Sequence, residues 1–426
     1  MFRLSDTDRG LGEIRRGVAR LAVLFPFMTG HLVESDGIYS DKIGVTLALP
    51  SIDENPGKLL LKVKYMYDTL LPGVDERPML RFQANILADG IVLCLCANHR
   101  VFDASGCGTV LELLAQCMQH VDRKDPVLST SATQEAETRK AIFAAANRAA
   151  SGGYNDPAKL PTLLPAPDFE GSTEFTLSAK KLSILRECCN KLLKKQGETE
   201  DGDENTLHLT DNDVLTSLLW LCITRAHHAC PREVEASSHE QTFPFVTDII
   251  LVAVNLRRRM DPPLPGSYTG NAVVNLQIRS SSTEWASKTA SSPVNIDTTV
   301  GISESYIIAL VYLASQIRTR LRSFDRESVN TVLSTVMNAK DWLTLIFNPL
   351  GLVLTTWRHL SVYKAEFGIL GKMENFGILP AKIGGRCVVL PARDVEGKAN
   401  WEVSVTLKDE EMAVLGCDEL FRWARM

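Results

Sequence analysis

No apolar stretch of the chain approaches the ~20 residues that a membrane-spanning helix needs. The best candidate, residues 343–353, is interrupted by Thr344, Asn348, Pro349 and Gly351. The first ten residues hold no apolar core of the kind a secretory signal requires. Basic tracts are missing too. Lys and Arg number 46 against 51 Asp and Glu, a net charge of −5, which argues against an electrostatic footprint for nucleic acid. The sequence has no GxSxG nucleophile elbow, no P-loop and no GxGxxG turn. The ten cysteines are scattered, and without an export signal they read as reduced core thiols. His227, His228 and Cys230 lack a second ligand pair, so they read as a helix end rather than a zinc site, and no metal is expected. The expectation is a cytoplasmic monomer that meets neither nucleic acid nor membrane.

What is present is ordinary globular composition, 45% hydrophobic and 23% charged. At roughly 100–200 residues per domain, 426 residues suggest two or three domains. Leu11, Ile14, Val18, Leu21 and Leu24 recur at helical spacing before Pro26. Strand-like runs follow at 44–49 and 59–65, and 81–86 with 91–96 reads as a hairpin across Asp89-Gly90. A helix is expected over 105–121. Residues 126–168, rich in Ser, Thr, Ala and Pro, with one helical patch at 138–150, read as a long connection. This divides the chain into a domain of residues 1–170, ending in a crossover connection over about 126–170, and a domain of residues 171–426. In the second, strands are expected at 173–177, 248–255, 352–357, 386–390 and 401–406. Helices are expected at 178–195, 214–227, 303–322 and from Asp409 onward. Residues 197–205 read as a solvated loop and 280–298 as a surface insertion. Mixed strands and helices in comparable halves indicate a layered α/β or α+β architecture.

The segment Ala97-Asn98-His99-Arg100-Val101-Phe102-Asp103-Ala104-Ser105-Gly106 is the richest in chemistry. An apolar strand ends there, a turn presents His99, Asp103 follows four residues later, and Gly106 lets a helix start close by. An imidazole takes a proton near neutral pH, and a strand-end loop puts it within reach of a substrate. A bare HxxxD pattern is weak by itself, since a lone His after a strand is more often structural.

Further segments occur in the order of one family. Leu24-Phe25-Pro26-Phe27-Met28-Thr29-Gly30-His31 is similar to an "FPxLAGR" turn. Leu209-Thr210-Asp211-Asn212-Asp213 leads to Trp220 on a helix, and Val254-Asn255-Leu256-Arg257 is followed by Tyr268-Thr269-Gly270-Asn271. Thr355-Thr356-Trp357 precedes Ala365-Glu366-Phe367-Gly368. From about residue 11 to its end the chain resembles the BAHD-type acyl-CoA-dependent acyltransferases, nearest to the fungal branch that includes trichothecene acetyltransferases. The resemblance implies an α/β fold of two similar chloramphenicol-acetyltransferase-like domains, each a mixed sheet flanked by helices, with a channel between them. It implies His99 as general base in direct acyl transfer from acyl-CoA, by analogy acetyl-CoA, as co-substrate with no permanently bound cofactor. The acceptor would be the hydroxyl of a secondary metabolite, a terpenoid, polyketide or alkaloid.

In this family Asp103 positions the loop instead of acting as a second acid. Arg257 and Arg259 are natural partners for Asp103 and Glu366 if the strand persists through them; a solvated basic turn is the other reading. The resemblance implies that coenzyme A is bound near the 268–271 turn and the strand end before it, which nominates Arg258, Arg259, Gly270 and Asn271; a plain surface loop competes. Trp357 lines the acyl site or belongs to the core. The position that holds an acceptor-gripping Arg in shikimate-using members falls on His359, against an acidic acceptor. Two features depart from the family: Glu366-Phe367-Gly368-Ile369-Leu370-Gly371 stands for "DFGWG", and the chain starts almost at its first helix, so that a short gene model or a missing pocket wall is expected. Two rivals stay open. One is a condensation-type domain, although Asn98 sits where such domains carry another His. The other is a catalytically impaired binding protein.

Overall fold

The computed structural model describes residues 1–35, 38–43, 76–99, 101–119, 127–150, 171–197, 207–230, 246–280, 301–338, 351–379, 384–393 and 399–426. The strands expected at 44–49 and 59–65, and the segments 198–205 and 281–298, lie outside these residues.

In the first half, strand β1 (Phe2–Arg3) precedes helix α1 (Thr7–Leu24). Asp6 caps α1 by accepting from the Arg9 N–H at 2.9 Å. Strands β2 (Gly30–Ser35), β3 (Ile38–Ile43) and β4 (Glu76–Pro78) form one three-stranded sheet in the order β3-β2-β4. The expected hairpin is present as β5 (Leu80–Leu87) and β6 (Gly90–Ala97), and β1 lies along the far side of β6. Both sheets are antiparallel among the described residues. Helix α2 (Ala104–Gln119) follows β6 and packs its apolar face, including Val110, Leu114 and Met118, with Ile14, Val18 and Leu21 of α1. The connection between the halves carries helix α3 (Ala132–Ala150), six residues longer at its start than the pattern suggests. Its polar composition hides that start.

The second half is built on a mixed six-stranded sheet. Its members are β7 (Ser172–Leu177), β8 (Val246–Asn255), β9 (Val273–Arg279), β10 (Gly351–Thr356), β11 (Arg386–Val389) and β12 (Trp401–Thr406), in the order β7-β12-β11-β10-β8-β9. Helices α4 (Ala179–Gly197), α5 (Asp211–Ala229) and α6 (Glu304–Ser323) cover it; α7 (Arg326–Asn338) packs against α3, and α8 (Asp409–Cys417) and α9 (Glu419–Ala424) lie against α5. The run Val214–Ile223 of α5 is buried residue after residue, the Thr216 and Ser217 hydroxyls bonding back to the helix's own carbonyls, so this stretch lies inside the core. Its start is fixed by a capping box between Thr210 and Asp213. Arg318 of α6 pairs with the buried Asp213, its Nε donating at 2.8 Å.

Two features of this topology set up the site. Strands β8 and β10 are parallel neighbours, so their C-terminal ends, at Asn255 and Thr356, emerge side by side. The chain after β10 then crosses back: Val362, Phe367 and Leu370 are buried in the core of the first half, where Phe367 packs edge-on against Phe2 with ring centroids 4.9 Å apart. Gly368 adopts φ +57°, and a Cβ there would lie 3.0 Å from the Met118 carbonyl oxygen. No described helix is long and apolar enough to cross a membrane.

Candidate active site

The turn after β6 is built by backbone bonds. Asn98 N–H donates to Met79 O at 2.9 Å, and the N–H groups of Val101 and Phe102 both donate to Asn98 O, at 2.9 and 3.0 Å. Buried Phe102 anchors the turn, His99 is exposed at its tip, and Asp103 points back into the protein. Its Oδ1 accepts the Gly106 N–H at 2.7 Å, capping α2.

Asp103 is 4% exposed and Arg257 3% exposed. Arg257 donates from Nη1 to Asp103 Oδ2 at 2.8 Å and from Nη2 to Oδ1 at 3.0 Å. Such a two-pronged pair fixes orientation as well as distance. The remaining lone pair on Oδ2 takes the Ala272 N–H at 2.8 Å. Arg257 also donates to the carbonyls of Tyr268 (3.0 Å) and Gly270 (2.7 Å). The pair therefore ties the His99 turn of the first half to the 268–272 turn of the second. Asn271 completes the tie. Its Nδ2 donates to His99 O at 2.6 Å and its backbone N–H to Val101 O at 2.7 Å.

Glu135 of α3 holds that same turn from behind. It is 1% exposed, and its carboxylate accepts from the Thr269 N–H at 3.0 Å and the Thr269 hydroxyl at 2.6 Å. Gly106 is required here by close approach: a Cβ would lie 1.9 Å from the Thr269 carbonyl oxygen.

The ends of β8 and β10 supply another wall. Asn255 Nδ2 donates to Ser105 Oγ at 3.1 Å, and Ser105 Oγ lies 3.1 Å from His359 Nε2. His359 is exposed by area. Desolvation nevertheless lowers its pKa, Arg257 adds to the shift and Asp103 opposes it. Trp357 is half-buried there, edge-on to Phe376 at 6.3 Å between centroids. Burial, with Asp103 and Cys96 adding, pushes the Cys107 thiol up to about 12.

Other nominated residues fall elsewhere. Strand β8 stops at Asn255, so Arg257 and Arg259 do not share a strand face as expected. Arg259 donates from Nη1 to Phe324 O at 2.6 Å. Glu366 pairs with Lys372 at 3.5 Å, both side chains largely exposed, and the expected arginine–Glu366 bridge does not form. The reason is that residues 366–371 fold on themselves as Phe367 enters the core of the first half, leaving Glu366 outside. The Glu366 carbonyl accepts from Gln119 at 2.7 Å. Arg258 is exposed, with no hydrogen bond or ion pair to a described residue. His227 lies 2.6 Å from Glu411 Oε1. Sequence reasoning quoted Ser105, Asn255 and Thr269 within its motifs but gave them no role, and it missed Glu135, which carries no signal in its polar stretch.

Comparison with known proteins fits this arrangement. The sequence model of the Transferase family matches residues 56–419. The fumigaclavine B O-acetyltransferase of Aspergillus fumigatus is 29% identical, with 99% of this chain and 93% of the relative covered. The communesin N16 acyltransferase of Penicillium expansum is likewise 29% identical over 99% of this chain and 93% of its own length. Among solved structures, F. sporotrichioides TRI101 complexed with coenzyme A and T-2 superposes with a TM-score of 0.67 at 19% identity, covering 99% of this chain and 92% of that one. With most of its length matched by the family model, the chain belongs to the Transferase family, the BAHD-type acyltransferases.

Proposed function

We propose that this protein transfers an acyl group, acetyl by analogy, from acyl-CoA to a hydroxyl of a secondary metabolite, with His99 as the general base. The observation that carries the role of His99 is the state of Asp103. Its carboxylate is buried and bonded by Gly106, Ala272 and both terminal nitrogens of Arg257. It is a strut, which leaves the exposed imidazole on the strutted turn as the group able to move a proton. The acceptor oxygen attacks the thioester carbonyl as its proton passes to His99. The carbon–sulfur bond then breaks and the proton goes to the departing CoA thiolate. A thioester is activated enough for one base and a stabilised oxyanion to suffice.

The acceptor class follows the relatives, among them a fumigaclavine B O-acetyltransferase, within the range of terpenoids, polyketides and alkaloids. His99, Asp103 and Ser105 come from residues 1–170, while Arg257, Asn271 and His359 come from 171–426. In this reading the site lies in a channel between two domains, with acceptor and CoA entering from opposite faces. Arg258 is the exposed cation for CoA phosphates, with Arg259 beside it. Gly270 and Asn271 shape the turn between them and His99. The protein works as a cytoplasmic monomer.

The test is CoA release, followed with a thiol reagent, from acetyl-CoA across a panel of alcohols including fumigaclavine B. His99→Ala is expected to lower turnover by about 10²–10⁴-fold with the melting temperature within about 1 °C of wild type, as expected for an exposed side chain. Unchanged turnover, or loss of folding in step with loss of activity, would overturn the assignment.

A further inference from the structure

We propose that Ser105 and His359 form a second nucleophile–base pair, through which the protein takes an acyl group onto Ser105 and releases it to water. The direct transfer above does not use this pair. Its members come from the first turn of α2 and the end of β10, 254 residues apart in sequence, and Asn255 at the end of β8 completes it. An amide nitrogen only donates, so Ser105 Oγ accepts from Asn255, and in the tautomer this pair uses, its own proton is directed at His359 Nε2. That nitrogen then carries the lone pair, and His359 is the neutral tautomer with its proton on Nδ1, a base. Desolvation and the neighbouring Arg257 charge, opposed by Asp103, favour the uncharged ring at neutral pH.

The surroundings suit nucleophilic chemistry. The Ser105 backbone is fixed by the Asp103 bond to Gly106. The hydroxyl also sits at the positive end of a 16-residue helix, where charge developing on its oxygen is favoured. Ser105 is half-buried and His359 exposed, so a substrate reaches both. A hydroxyl and base within hydrogen-bond reach, with a third group orienting one of them, is the arrangement that activates serine.

The chemistry balances without a further reactant. Ser105 Oγ attacks the thioester carbonyl carbon and its proton passes to His359 Nε2. The carbon–sulfur bond breaks, and the CoA thiolate leaves with that proton. Water then attacks the acyl-serine, its proton crossing by His359 to Ser105 Oγ, and a carboxylic acid departs. The choice of acyl-CoA as donor rests on the reading given under Proposed function; the pair itself does not, and a donor that needs no CoA site tests it separately.

The full-length protein is mixed with p-nitrophenyl acetate, nitrophenolate release is followed by stopped flow, and the Ser105 peptide is examined by mass spectrometry. The same peptide is then examined after acetyl-CoA without an alcohol. A stoichiometric burst and an acetyl group on Ser105 are expected. Ser105→Ala should abolish both, and His359→Ala should slow the burst by about 10²-fold. His99→Ala should keep the burst while losing transfer to alcohols. Ser105→Cys, with a nucleophile of similar size, should keep the acetylation and so guards against a folding defect in Ser105→Ala. Absence of acetyl on Ser105 of folded wild-type protein with both donors, or an undiminished burst in His359→Ala, overturns the proposal. Acetylation by the nitrophenyl ester with no CoA release to any alcohol upholds the pair and sinks the acyl-CoA reading. CoA release to alcohols with Ser105 never acetylated sinks the pair alone.

Discussion

Replacing Asp103 with Asn leaves the shape of the side chain and removes its charge. The carboxylate accepts four bonds, from Gly106 N–H, Ala272 N–H and two nitrogens of Arg257. The asparagine oxygen can keep those of Gly106 and one guanidinium nitrogen. Its amide would then face Arg257 Nη1 and the Ala272 N–H, donor against donor. Arg257, 3% exposed, would be a buried cation with no carboxylate, held only by the asparagine oxygen and those of Tyr268, Gly270 and Asn255. Breaking one side of a buried ion pair costs about 3–5 kcal/mol, and those remaining oxygens hold the expected loss near ~3 kcal/mol. At about 2 °C per kcal/mol for a cooperative unit of ~250 residues, the melting temperature should fall by about 6 °C. Turnover should fall with it, because the same pair holds the His99 turn. In the double variant Asp103→Asn with Arg257→Met the orphaned charge is gone, so part of the stability should return while activity stays low. Differential scanning fluorimetry and CoA-release kinetics on the four proteins of the cycle measure both. A single variant melting within ~1 °C of wild type but inactive would refute the strut and make Asp103 a participant in the chemistry.

Gly106→Ala should destabilise by about 1–3 kcal/mol or more and depress turnover. Its Cβ would meet the Thr269 carbonyl at 1.9 Å, where no rotamer change gives relief; a melting temperature equal to wild type would contradict this. Thr269→Val removes the 2.6 Å donor to the buried Glu135 carboxylate and should cost about 1.5–3 kcal/mol in urea unfolding. Thr269→Ser should restore most of it, and equal stability of the two would rule out the hydrogen bond as the cause. With its pKa raised from 9.0 to about 12, Cys107 holds at pH 8 about 10³-fold less thiolate than an unperturbed thiol. Iodoacetamide mapping at that pH should find Cys107 unmodified in the folded protein and modified in urea.

The hairpin, the His99 turn and α2 were legible because each is written in local order: alternation, Asp89-Gly90, an aspartate before a small residue. Arg257 was legible as a partner of Asp103. The pairing assigned to Arg259 and Glu366 was not, since it assumed a strand running on past Asn255, and the end of a strand depends on its neighbours. Glu135 was invisible for another reason. In a polar stretch a carboxylate reads as solvated, and only Thr269, 134 residues away, makes it a buried clamp.

By itself the sequence determined the chemistry on offer, an imidazole on a strand-end turn with an aspartate and a glycine in fixed register, because those relations span fewer than ten residues. Tertiary structure decided what surrounds that imidazole. The parallel pairing of β8 with β10 brings Asn255 and His359 to Ser105, and the 268–272 turn, held from behind by Glu135 of α3, closes on the loop from the other half. A buried carboxylate, a cation and a carbonyl acquire their roles from the partners they meet, and chain order does not specify those meetings.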